Sequence, residues 1–233
     1  MMKIGIIGAM DVEVAGLIEF MENIKKETIS STVYYEGTLQ GKNVVVAKCG
    51  VGKVHAAVCA QTMILKYKPD VIINTGVAGS LNSKLDIADL VISDSVVQHD
   101  MDTSGIGDPI GLISGVNLIN IPCPKDLVEQ IEKSAKTIED TNVIVGTIAS
   151  GDQFICNQDK RDYIVKHFDA LCAEMEGAAI GHVCYLNNVD FCIIRAISDK
   201  ADGSAHMDFP TFAKIAAKKS TQLINTFLSA CGF

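Results

Sequence analysis

Arginine is scarce in this chain. Of its 20 basic residues only Arg161 and Arg195 are arginines, and the formal net charge is −8, so no basic stripe exists to neutralise a phosphate backbone. Nucleic acid is not an expected partner. Long hydrophobic runs are also missing: no window approaches the roughly 18 consecutive apolar residues of a membrane span. The short apolar start meets Asp11 and Glu13 where a signal peptide would still be hydrophobic. No membrane association or export is expected, and the location is read as cytoplasmic. The eight cysteines form no C-x-x-C pair and have no histidine at zinc-finger spacing, so they read as reduced core residues and no metal site is expected. Internal repeats, low-complexity tracts and Pro/Ser-rich linkers are absent as well. With 48% hydrophobic and 21% charged residues over 233 positions, the chain has material for a core and is read as a single domain, residues 1–233.

What is present is a series of short runs rich in Val and Ile: Lys3 to Gly8, Asn43 to Lys48, Asp70 to Thr75, Leu90 to Val97, Asn142 to Ala149 and Asp190 to Ala196. They read as strands. Helical spacing separates them, as in Val54, Val58, Met63 and Leu65, or Leu127, Ile131, Ala135 and Ile138. Nearly continuous apolar strands alternating with helices predict a single three-layer α/β/α domain. Thr32 to Gly37 followed by Leu39 to Asn43 predicts a hairpin, hence a mixed central sheet. A last helix is expected from Asp208-Phe209-Pro210, with Pro in its first turn, towards Leu228. Two stretches resist assignment, His99 to Pro124 and Asp199 to Met207, and ordered loops of that kind are often functional.

Ligands of open α/β sheets bind beyond the carboxyl ends of strands. Five such places carry polar or small residues: Gly8-Ala9-Met10-Asp11-Val12-Glu13, Asn74-Thr75-Gly76-Val77-Ala78-Gly79, Ser150-Gly151-Asp152-Gln153-Phe154, Glu174-Met175-Glu176-Gly177 and Arg195-Ala196-Ile197-Ser198-Asp199. Gly5-Ile6-Ile7-Gly8 is not a dinucleotide fingerprint, because its spacing is G-x-x-G and two acids follow. Thr75 to Gly79 reads as a small-residue turn that lets backbone N–H groups approach a ligand or lets a helix pack closely. Glu13 on its own fits a first-turn carboxylate, and Asp199 a turn residue.

Together with Gly50-Val51-Gly52-Lys53 and His99-Asp100, these segments resemble the 5′-methylthioadenosine/S-adenosylhomocysteine nucleosidases of the purine nucleoside phosphorylase superfamily, in order and over nearly the whole chain. The resemblance implies a nucleoside phosphorylase-like fold and cofactor-free hydrolysis of the N-glycosidic bond, giving adenine and the 5′-substituted ribose. It implies that adenine lies against Phe154 with backbone near Ile155 at the base edge, and that Glu176 bonds the ribose hydroxyls above Met175. Met10, Val77, Ala78, Gly79 and Phe209 are implied as further substrate contacts. It also implies a homodimer in which a loop crosses to the partner's pocket, here through Thr103 and Ile106 at the 5′ substituent.

Chemistry agrees with these roles. Adenine leaves best as a neutral base, so an acid at N7 is required while the ribosyl carbon gains positive charge. Asp199, oriented by Ser198, is the expected acid, Glu13 the base for water, and Glu176 lies near the developing cation. A protonated Asp199 that donates to N7 can then accept from a 6-amino group, which favours adenine over 6-oxo purines. Phosphorolysis needs cationic groups for a phosphate dianion, and this chain is poor in arginine. Several relatives have Ser in place of Val77 to hold the water; here Arg195, with Glu13 and Glu176, is expected to position it. The 5′ substituent is read by pocket walls that these motifs do not define, so 5′-deoxyadenosine and aminodeoxyfutalosine stand beside methylthioadenosine and adenosylhomocysteine as candidate substrates. A phosphate-dependent phosphorylase and a non-catalytic adenosine-binding regulator are the competing readings; the acid and base argue against the latter.

Overall fold

The computed structural model describes residues 2–202 and 204–232, the side chains of His206 and Met207 excepted. Strand β1 (Lys3–Gly8) pairs in parallel with β4 (Lys42–Lys48) and with β5 (Val71–Ser80), and all three are Val/Ile-rich and buried. The predicted hairpin joins β3 (Thr32–Leu39) to β4 through Gln40 and Gly41, both at positive φ, a two-residue turn whose twist matches the strands. A further strand, β2 (Glu22–Ile29), pairs with β3. It gave no hydrophobic signal because it is a largely exposed edge, where Glu22, Lys25, Lys26 and Glu27 discourage pairing with another chain.

Beyond β5 the sheet curls. Strand β10 (Asp190–Asp199) runs parallel to β5 and antiparallel to β6 (Leu90–Gln98); β6 is parallel to β8 (Val143–Ser150), and β8 to the three-residue β9 (Cys172–Glu174), which returns antiparallel to β5. Five strands thus close on themselves, while β1, β4, β3 and β2 extend as an open wing. A two-residue strand, β7 (Ile121–Pro122), pairs with β6. The sheet is mixed and flanked by helices, as predicted.

Helices α1 (Asp11–Ile18), α3 (Lys125–Ala135) and α6 (Ala205–Ala230) pack together, with α6 against β5 and β10. Helices α2 (Lys53–Tyr67) and α5 (Gly177–Asn187) pack on each other, and α4 (Gln158–Phe168) lies by β8. Helix α2 buries Ala56, Cys59, Ala60 and Met63 yet leaves Val54, Val58 and Leu65 exposed. Among the described residues no helix is long and apolar enough to cross a membrane.

Four expectations need correction. Thr75 to Gly79 is not a turn: β5 continues to Ser80, held extended by the register Arg195↔Gly76, Ala196↔Val77 and Ile197↔Ala78. Likewise β10 extends through Asp199. Helix α6 begins at Ala205 rather than Asp208, because Asp202 Oδ1 accepts the Ser204 N–H at 2.8 Å and turns the chain earlier. Gly203, in that polar stretch, lies outside the described residues. Of the eight free cysteines seven are buried, and Cys156 is exposed rather than in the core.

Candidate active site

Four chain segments meet around a cavity of about 280 Å³: the start of α1, the end of β5, the β9–α5 junction and the end of β10. Its walls carry Met10, Glu13, Val77, Ala78 and Gly79 from the first two, and Met175, Glu176, Ser198 and Asp199 from the others. Phe154 and Phe209 form one side, their rings edge to face at 5.7 Å. Ala9, Val51, Ala173 and Glu174 complete the lining.

Glu13 does serve the helix start, since Oε2 accepts the Met10 N–H at 2.9 Å and the Ala9 N–H at 2.7 Å. Its other oxygen reaches across to the Val77 N–H of β5, at 3.1 Å. This crossing requires glycine at position 76, where a Cβ would stand 2.6 Å from Glu13 Oε1. Burial raises the Glu13 carboxyl above the ordinary carboxylate range, against the lowering effects of Arg195 and the three N–H donors. On β10, Asp199 Oδ1 accepts the Ala201 N–H and Oδ2 accepts the Ser198 hydroxyl, each at 2.9 Å. Burial raises its carboxyl too, and outweighs both hydrogen bonds. Glu176, at the start of α5, accepts the Gly52 N–H at 2.8 Å. Burial and the neighbouring Glu174 push it upward, while Arg195 pulls it down.

Three buried carboxyl groups, those of Glu13, Glu174 and Glu176, thus surround one buried guanidinium. Arg195 is 1% exposed and lies behind the cavity wall rather than in it. Sequence reasoning set it against Glu13 and Glu176, but its nearest carboxylate is Glu174, with Asn74 Oδ1 at 2.5 Å and Glu176 Oε2 only at 3.9 Å. Glu174 in turn accepts from the Ser150 hydroxyl and from the N–H groups of Glu176 and Gly177. No Lys, Arg or His among the described residues lines the cavity. Such a site suits a cation-like state of a neutral ligand and offers a phosphate dianion nothing.

The phosphorylase superfamily model matches residues 3–229. A 5′-methylthioadenosine/S-adenosylhomocysteine nucleosidase of Shewanella sp. (strain MR-7) is 41% identical over 97% of this chain and 96% of its own. The chain belongs to this nucleosidase family. It is an N-glycosyl hydrolase. The Neisseria meningitidis nucleosidase in complex with methylthio-immucillin-A superposes with a TM-score of 0.96 at 36% identity, over 99% of this chain and 100% of that one. A futalosine hydrolase of Helicobacter pylori strain 26695 superposes at 0.94, with 33% identity over 99% and 98% of the two chains.

Three further residues that the resemblance implies, Ile155 by its backbone and Thr103 and Ile106 in a partner's pocket, are absent from the lining of this cavity. Ile155 is buried beside a second cavity, with His99, Asp100 and Tyr163. Thr103 donates to Asp108 Oδ2 at 2.8 Å, and Ile106, in a short 3-10 turn, is 84% exposed; neither lines the cavity of its own chain. Conversely, Glu174 was visible as one of a pair of acids, yet nothing in the sequence told which acid would meet Arg195.

Proposed function

We propose that this hydrolase releases adenine from 5′-methylthioadenosine and S-adenosylhomocysteine, with Asp199 protonating N7, Glu13 accepting a proton from the attacking water and Glu176 holding the ribose hydroxyls. The observation that carries the proposal is the pairing of two buried carboxyls, Glu13 and Asp199, on separate elements of one cation-free cavity. Burial raises the proton affinity of both carboxyls, the direction that suits a group which must give up or take a proton in the reaction. Ser198 and the Ala201 N–H orient Asp199. The anionic surroundings favour the oxocarbenium-like ribosyl carbon, and Glu176 is the nearest candidate to stabilise it. With Val77 offering no hydroxyl and Arg195 behind the cavity wall, Glu13 is the side chain that receives the water in this reading.

The working enzyme is proposed to be a homodimer whose loops carry Thr103 and Ile106 to the partner's 5′ subsite. Exposed apolar side chains support this reading: Ile106 itself, Val54, Val58 and Leu65 on α2, and Tyr185 and Leu186 on the adjoining α5. Incubation with methylthioadenosine in phosphate-free buffer tests the activity. Adenine and methylthioribose are expected in equal amounts; dependence on phosphate with a ribose 1-phosphate product would overturn hydrolysis. Kinetics with 5′-deoxyadenosine and aminodeoxyfutalosine in the same assay rank the substrates.

A further inference from the structure

The segment Ser150-Gly151-Asp152-Gln153-Phe154 supplies Phe154 to the cavity, but its aspartate has no part in the chemistry above. Asp152 reaches instead to the start of α2. That helix opens on Gly52, which has no side chain with which to cap it and sits at φ +99°, a value that a side chain would strain. Asp152 Oδ1 accepts the Lys53 N–H at 2.8 Å, so an acceptor from the end of β8 does what the helix's own first residue cannot. A Cβ at position 52 would come within 3.1 Å of this oxygen.

Asp152 is itself held. Its N–H donates to Asp100 Oδ2 at 2.9 Å, and Asp100 Oδ1 accepts Lys53 Nζ at 2.6 Å, so three residues from the ends of β6 and β8 and the start of α2 close a ring. The amide immediately before Lys53 is the one that matters. Gly52 N–H makes the only hydrogen bond to the Glu176 carboxylate among the described residues; Arg195, at 3.9 Å, is outside hydrogen-bond range.

We propose that Asp152 is a positioning residue for Glu176: by capping α2 from outside the helix it fixes the Gly52 amide, and through it the carboxylate that meets the ribose. The inference rests on the reading of Glu176 as the hydroxyl-binding group. A loosely tethered Glu176 loses its preference for substrates that carry the hydroxyl, whereas general slackening of the Phe154 loop weakens all substrates alike.

The test compares kcat/KM for methylthioadenosine and its 3′-deoxy analogue in the full-length parent, Asp152→Ala and Asp152→Asn. The side chain is exposed, so both variants keep the core intact. Alanine should contract the ratio about fivefold, the factor that a lost helix cap represents. Asparagine keeps an oxygen acceptor and should hold the ratio within about twofold. An unchanged ratio in Asp152→Ala, or an equal contraction in both variants, overturns the proposal. A parent that releases adenine without distinguishing the two substrates instead removes the Glu176 reading beneath it.

Discussion

Replacing Asp199 by asparagine separates the proton from the shape. The amide fits the site: its oxygen can keep the Ala201 N–H, its nitrogen can donate to Ser198 Oγ, and that hydroxyl can turn to the Ala78 carbonyl, 3.4 Å away. No buried polar group is left alone, so the substitution should cost little stability. The sign with pH can be worked out. Because burial raises the Asp199 carboxyl in the fold, the stability linked to its protonated form is full below its unfolded pKa and is lost as pH rises through the folded one. Asparagine has no such loss, and Tm at neutral pH should equal or exceed that of the parent. Turnover should collapse. Removal of a general acid costs about 10²–10⁴-fold, or roughly 2.7–5.5 kcal/mol of barrier at about 1.36 kcal/mol per decade. Adenine release measured under saturating methylthioadenosine gives kcat, and calorimetric titration with a non-hydrolysable nucleoside analogue gives affinity. A variant within about tenfold of parental kcat would refute Asp199 as the acid.

For the parent, kcat against pH should be bell-shaped, with activity lost on the acid side as Glu13 is protonated and on the alkaline side as Asp199 ionises. Burial raises both groups, so the acid limb should lie above the ordinary glutamate range; a profile flat into the alkaline region would dismiss this division of labour. Ile106→Asp should weaken methylthioadenosine binding far more than adenine binding, because each buried methylene at the 5′ subsite is worth about 0.8 kcal/mol. Sedimentation as a fully active monomer, or equal affinities in that variant, would remove the shared pocket.

The sheet was legible where Val and Ile run continuously, as in β1, β4, β6 and β8, since a buried strand needs such residues whatever surrounds it. It was illegible where neighbours decide. Gly76 to Ser80 are small enough to turn, and only β10 and β9 alongside keep them extended. Edge strand β2 is exposed on both faces and carries no pattern. In the site, Glu13, Glu176 and Asp199 could be singled out because each adjoins an apolar strand or its end. The capping of α2 by Asp152 could not, since donor and acceptor are 99 residues apart. Nor could the pairing of Arg195 with Glu174, which depends on how β9 sits beside β5.

One wall of the cavity, Val77 to Gly79, is the backbone of β5, a strand buried along its whole length and bonded on both sides. The opposite side rests on Phe154, before α4, and Phe209, in the first turns of α6. Evolution therefore has unequal freedom here. A substitution that shifts the β5 wall must drag the centre of the sheet with it, so this half of the pocket is inherited with the fold. Phe154, which is 45% exposed, can be traded at little cost to folding, and new substrate preferences have room to arise there without disturbing the carboxyl groups opposite.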